Sequence, residues 1–193
     1  MKNQSKKRTA AVVDGIVKFL ATGGYLTTIL VAPRAVEIFD KPVMNLLEQL
    51  DERERQRELK RIVYYMKNRG LIAYNPNDYE HGIKLTGKGK KRLQDIDYKT
   101  VSIARPHTWD GRWRLVIFDI PEEKKEERRT FSKKLISLGY KRLQYSAWVH
   151  PFPSRDEIAL ITQKLQIQRY VSYLEVINID SEKALKRRFK NLL

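Results

Sequence analysis

From Thr9 to Ala21 the apolar residues Val12, Val13, Ile16, Val17 and Leu20 recur at spacings of three and four, with Gly23 and Gly24 just beyond. A helix turns every 3.6 residues, so this period places them on one face, and the glycines mark a stop. The preceding MKNQSKKR has no apolar period and reads as a basic arm. Tyr25 to Phe39 is apolar and broken by Pro33; a second helix and an irregular packed segment both fit it. Lys41 to Leu50 carries Val43, Met44, Leu46, Leu47 and Leu50 and predicts a short helix. Asp51 then offers an N-cap with Glu54 as its capping-box partner, for a helix running to Asn68 or Arg69 before Gly70.

Next come Leu71-Ile72-Ala73-Tyr74, the turn-rich Asn75-Pro76-Asn77-Asp78 and a return strand from Gly82 to Leu85. That is a hairpin, followed by a short helix from about Lys88 to Asp95. Helix, helix, helix, hairpin is the order of a winged helix-turn-helix domain, expected over residues 1–96. Residues 97–108 are polar, contain Pro106 and show no period, which places a linker there.

Beyond the linker the period changes. Arg112 to Ile120 predicts a strand, Glu122 to Leu138 a helix closed by Gly139, and Tyr140 to Phe152 extended structure. Ser154 to Gln168 predicts a helix, Tyr170 to Ile179 a strand, and Ser181 to Leu193 a basic helix capped by Ser181. Strands separated by two helices in this order predict a ferredoxin-like βαβ-type domain over residues 109–193, and the chain as a whole an α+β class.

Composition narrows the partners. The formal charge is +16 with 39 Lys and Arg among 193 residues. Residues 1–108 hold 21 Lys and Arg against 12 Asp and Glu, and residues 109–193 hold 18 against 11, so both halves are basic. A surplus of this size attracts polyanions, and double-stranded DNA leads the partner classes. The absence of cysteine excludes a disulfide scaffold, a thiolate zinc site and a cysteine nucleophile, and fits a cytoplasmic protein. Apolar runs break well short of the roughly 20 residues a membrane span needs, so no membrane is expected. Asp14 and Lys18 interrupt what would be a signal peptide's apolar region.

The helix from Asp51 carries the clearest functional pattern. Leu59, Ile62, Val63 and Met66 form one apolar stripe, while Arg53, Arg57, Lys60, Arg61, Tyr64, Lys67 and Asn68 share the opposite face. Such a face suits the major groove, where Arg reads guanine and Asn adenine, while Lys and Tyr hold phosphates. Glu52, Glu54 and Glu58 also suit intrahelical ion pairs on a solvated face. What favours DNA is the position of this helix immediately before the hairpin. His81 and Lys84 on the wing, followed by Lys88, Lys90, Lys91 and Arg92, add cations for adjacent phosphates or the minor groove.

Several motifs then carry a resemblance. Trp109-Asp110-Gly111-Arg112-Trp113, Phe118-Asp119-Ile120-Pro121, Leu138-Gly139-Tyr140 and Gln144-Tyr145-Ser146-Ala147-Trp148-Val149 fall in the order found in the PaaX-type winged-helix repressors. Their central domain is similar to the small ferredoxin-like CRISPR-associated Cas2 endonucleases. Ile83-Lys84-Leu85-Thr86-Gly87-Lys88-Gly89-Lys90 resembles the wing exit of the same repressors. The resemblance implies a DNA-binding transcriptional regulator, a repressor in the family's manner, acting as a homodimer through its second domain. The additional C-terminal domain of full-length PaaX-type repressors is not matched, so their small acyl-thioester effector is not carried over and the effector is unknown.

By the same resemblance, Asp119 of each subunit would face its mate across the dimer, and the pair would bind Mg²⁺ or Mn²⁺ and cleave phosphodiesters. Ser146 matches the serine near that site by motif position. This gives the alternative reading, a metal-dependent endonuclease or CRISPR-adaptation subunit with Asp119 as catalytic and metal-binding residue. DNA binding itself requires no cofactor. The structural alternative for Asp119 is a strand-end residue that caps the following helix or pairs with Arg128 or Arg129. His81, His107 and His150 are dispersed without ligand spacing and read as surface or packing residues. Trp109, Trp113, Trp148, Tyr145 and Phe152 read mostly as core or interdomain packing.

Overall fold

The computed structural model describes residues 2–23, 39–74 and 82–193. The expectations for Tyr25 to Phe39 fall almost wholly outside those residues, as do the wing turn at 75–78 and His81. The chain divides into two compact units, Met1–Lys99 and Thr100–Leu193. Among the described residues no helix is long and apolar enough to cross a membrane.

The first unit begins with α1 (Lys2–Ala21), followed by α2 (Lys41–Glu48), α3 (Glu52–Asn68), the antiparallel strands β1 (Ile72–Tyr74) and β2 (Ile83–Leu85), and α4 (Gly87–Thr100). The stretch expected to be a basic arm is helical back to Lys2. Lys, Gln, Arg and Ala are good helix formers, so propensity extends the helix where no apolar stripe signals it. Val12, Val13, Ile16 and Val17 of α1 pack with Val43 and Leu47 of α2 and with Leu59, Ile62 and Met66 of α3.

Helix α4 also exceeds its expected end, running through the first residues of the anticipated linker to Thr100. Ile96 explains this: it is buried in the same core, continuing an apolar stripe that half-buried Leu93 begins. An ion pair between Arg92 and Asp14, 2.7 Å apart, further ties α4 to α1.

In the second unit β3 (Trp113–Phe118) leads through a 3-10 turn at Glu122–Lys124 into α5 (Lys125–Ser137). Strands β4 (Lys141–Gln144) and β5 (Ala147–His150), helix α6 (Arg155–Leu165), strand β6 (Val171–Val176) and helix α7 (Glu182–Arg188) follow. The sheet order is β4-β5-β3-β6, antiparallel throughout. Two interleaved βαβ units in that order make the split-βαβ, ferredoxin-like arrangement.

The two faces of β3 are covered differently. Phe118 stacks edge-on against Phe131 of α5, their centroids 5.3 Å apart, whereas Trp113 and Leu115 pack with Leu185 and Phe189 at the C-terminal end of the chain. Ile117, two positions on from Leu115 and so on the same face, is 39% exposed. The expected Ser181 cap is absent, since its side chain makes no capping bond and its backbone, at φ −86° and ψ 17°, lacks the usual extended geometry.

Candidate nucleic-acid interface

Helix α3 is fixed at its start, along one side and at its end. The Asp51 carboxylate accepts from the Glu54 amide at 2.8 Å while the Glu54 carboxylate accepts from the Asp51 amide at 3.3 Å. This capping box satisfies two of the donors that a helix start leaves open. Arg55 donates to the carbonyls of Leu47, at 3.3 Å, and Leu50, at 3.2 Å, joining α3 to the end of α2. Gly70, at φ +67°, ends the helix in the left-handed region where a side chain would be strained. Arg55 was not singled out from the sequence, because its partners are backbone carbonyls that no residue pattern reveals.

Leu59, Ile62 and Met66 are buried and Val63 is half-buried, whereas Arg53, Arg57, Lys60, Arg61, Tyr64, Lys67 and Asn68 are all exposed. Their accessibility differs in kind. Among the described residues, the side chains of Arg53, Lys60, Tyr64, Lys67 and Asn68 have no polar partner, and Arg57 reaches only the Arg53 carbonyl of its own helix at 3.4 Å. Arg61 is held. Its Nε and Nη2 donate to the Glu58 carboxylate at 2.8 and 2.6 Å, and Nη2 also donates to Thr9 Oγ1 of α1 at 2.9 Å. The bidentate pair pulls the Glu58 carboxyl below the usual range and raises the Arg61 guanidinium.

Beyond α3, the hairpin pairs Ile72 with Leu85, Ala73 with Lys84 and Tyr74 with Ile83. Ile72 is buried while Ala73 and Lys84 are exposed, so the alternation turns Lys84 away from the core. Thr86 binds the hairpin to α4: its amide donates to the Leu71 carbonyl at 3.1 Å, its hydroxyl donates to the Gly70 carbonyl, and Gly89 donates back to that hydroxyl at 3.1 Å. Gly89 is required there, because a Cβ would lie 2.1 Å from the Leu71 carbonyl oxygen. Lys88 and Lys90 stand exposed on α4. Arg61, Arg69, Lys88 and Lys91 line an open cleft of about 740 Å³ between α1, α3 and α4.

In the second unit, Asp119 lies just beyond β3, exposed, in a cleft of about 470 Å³ with Ser146, Arg169, Tyr170 and Ser172. The expected structural roles of Asp119 are not realised. Arg128 instead pairs with Glu122 at 2.6 Å and donates to the Ile120 carbonyl, Arg129 pairs with Glu126 at 3.2 Å, and the Asp119 amide is held by the Tyr170 carbonyl at 2.9 Å. No cluster of three or more His, Cys, Asp or Glu suited to a metal ion occurs among the described residues. This cleft thus presents Mg²⁺ or Mn²⁺ with a single carboxylate, two serine hydroxyls and a like-charged Arg169, a donor set that does not fit a hard divalent cation.

The aromatic residues separate likewise. Trp113, Trp148 and Phe152 are buried, and Trp109 tilts over Trp113 at 4.9 Å while donating to the Pro151 carbonyl at 3.0 Å. Tyr145, by contrast, is 82% exposed. Of the histidines, His107 is exposed and His150 is buried, its Nδ1 accepting the Phe152 amide at 3.1 Å.

Residues 106–186 match the family model of the PaaX protein central Cas2-like domain. The second unit is thus similar to that domain over most of its length. A CRISPR-associated endoribonuclease Cas2 of Flavobacterium psychrophilum is 30% identical to the chain over 66 residues, which make up 33% of the chain and 57% of that protein. The chain therefore spans a little over half the length of this Cas2 relative. An uncharacterized protein of Mycobacterium tuberculosis superposes with a TM-score of 0.34 and 15% identity, over 69% of this chain and 52% of that one, too loosely to bear on the fold. The PaaX central Cas2-like match covers the unit that carries Asp119 and ends before the last residues of the chain.

Proposed function

We propose that the chain is a DNA-binding transcriptional regulator, with its first unit serving as a winged helix-turn-helix. The observation that carries the reading is the exposed face of α3, in which Arg53, Arg57, Lys60, Tyr64, Lys67 and Asn68 stand opposite a buried stripe, immediately before a two-stranded hairpin. In this reading α3 enters the major groove, Asn68 and Arg57 meet base edges, and Arg53, Lys60, Tyr64 and Lys67 meet phosphates. Lys84, His81, Lys88 and Lys90 then hold the adjacent backbone. The match of residues 106–186 to the PaaX central Cas2-like domain supports regulation as the role, with repression the expected direction.

The regulator acts as a homodimer through the second unit. Ile117 is 39% exposed and Leu174 40% on its sheet, an apolar surface that a second copy would cover. No cofactor takes part in DNA binding, no membrane is involved, and the site of action is the cytoplasm. Reversing the charge at Arg57 and Lys60 together lowers affinity for a selected duplex at least ten-fold in a fluorescence-anisotropy titration. Unchanged affinity refutes the assignment of this face.

A second reading is favoured by one observation, the exposed Asp119 beside Ser146 in the Cas2-like unit. Here two protomers together form a Mg²⁺- or Mn²⁺-dependent nuclease site from paired Asp119 carboxylates. Cleavage of a labelled RNA or DNA that needs the metal and is lost in Asp119→Asn would establish it; cleavage that persists in the variant comes from a contaminant.

A further inference from the structure

Helix α3 presents its cations in two states. Lys60, Lys67 and Arg53 have no polar side-chain partner among the described residues, whereas Arg61 uses three hydrogen bonds to stay bound to Glu58 and Thr9. The Glu58 carboxylate grips Arg61 with two roughly parallel bonds, the same two-pronged geometry by which an arginine reads O6 and N7 of guanine. Glu58 is also held ionised, because the hydrogen bond from Arg61 depresses its carboxyl. The pair therefore persists at neutral pH and is not undone by mild acid.

We infer that Glu58 is a specificity-determining residue: it withholds Arg61 from the phosphates of non-cognate DNA, so that Arg61 contributes to discrimination rather than to general affinity. The inference rests on the DNA-binding reading of α3. A lone phosphate offers Arg61 roughly what Glu58 already provides and leaves Glu58 without its partner, so the exchange yields little. A base edge that matches the guanidinium fork, reached when α3 is seated in its cognate groove, repays the exchange. Thr9 strengthens the restraint from outside the helix, since its hydroxyl fixes Arg61 toward α1.

The test compares binding of the full chain to a short scrambled duplex and to its selected cognate duplex, across a salt series, for the wild type, Glu58→Gln, Arg61→Gln and the double variant. Glu58→Gln releases Arg61, and non-cognate affinity rises roughly five-fold at 0.15 M salt, with the salt slope steeper by about 0.9, as expected for one further phosphate contact. Cognate affinity changes less, so the specificity ratio falls. Arg61→Gln alone leaves non-cognate affinity unchanged and weakens cognate binding.

The double variant separates this mechanism from simple loss of a repelling carboxylate. If Arg61 mediates the gain, Glu58→Gln in the Arg61→Gln background gives only the small general gain that Glu52→Gln gives by removing an unpaired carboxylate from the same helix. Equal tightening with and without Arg61, or no tightening at all, overturns the inference. Failure of the wild type to bind either duplex refutes instead the DNA-binding reading on which it rests.

Discussion

His150 gives the second unit a pH dependence that can be worked out from its surroundings. The side chain is 2% exposed, enclosed by Tyr140 with ring centroids 5.1 Å apart, Phe152 at 5.6 Å and Phe189 at 6.1 Å. Burial pushes its pKa down from 6.5 to about 4, the nearby Arg114 adding to the effect and the hydrogen bond with Phe152 opposing it. An unfolded chain takes up this proton near 6.5 and the folded chain only near 4. Between those values the unfolded state binds more protons, so stability falls as pH drops. Integrating the two titrations from pH 7 to pH 5 gives a loss of about 2 kcal/mol. All three tryptophans, Trp109, Trp113 and Trp148, lie in this unit, so urea unfolding followed by tryptophan fluorescence reports on it selectively. The midpoint should fall between pH 7 and pH 5 at constant slope, and His150→Gln should remove most of that fall. A midpoint flat across this interval, or an NMR titration placing folded His150 near 6.5, refutes the reasoning.

Other consequences are local. Asp51→Ala removes the carboxylate that accepts from the Glu54 amide, leaving the bond from its own amide to Glu54, and costs about 1 kcal/mol, seen as faster amide exchange in the first turn of α3; unchanged exchange there contradicts the role. Gly89→Ala drives a Cβ against the Leu71 carbonyl oxygen and destabilises the first unit by about 1–3 kcal/mol in far-UV dichroism melts, with no change in the tryptophan transition. The Asp110 carboxyl is held at about 2 by two hydrogen bonds from Arg114, so its stabilisation is present above the unfolded value of 3.8 and is lost as pH falls toward 2. Asp110→Asn is accordingly destabilising at neutral pH, and the difference from wild type closes in acid; a difference independent of pH contradicts the ion pair's role.

The parts of the fold written in local chemistry were readable from the sequence. Asp51 with Glu54 at one end and Gly70 at the other define α3, and the buried positions Leu59, Ile62 and Met66 follow from helical period alone. The start of α1 was not readable, because Lys2 to Arg8 has no apolar period and helix propensity alone is a weak signal. The end of α4 was missed because Ile96 is only one apolar residue in a polar stretch, and its burial depends on α1 and α3 packing over it.

The candidate site divides in the same way. Exposure of the α3 face follows from spacing, and so does the opportunity for Glu58 to pair along the helix. The capture of Arg61 by Thr9, 52 residues away in the chain, does not. Asp119 was expected to find Arg128 or Arg129, but Glu122 and Glu126 compete for those guanidinium groups from closer positions, a competition decided by the 3-10 turn at Glu122–Lys124. Its neighbour Arg169 comes from just before β6 and joins it only through the pairing of β3 with β6.

The most direct test of the central claim is selection of binding sites by the full chain from a random pool of duplex DNA, with EDTA present so that metal-dependent cleavage is silent. The expected result is enrichment of a two-fold symmetric motif whose half-sites depend on Arg57 and Asn68. Tight, salt-sensitive binding with no enriched motif would contradict it and leave a non-specific nucleic-acid binder or the Asp119 nuclease as the function of this chain.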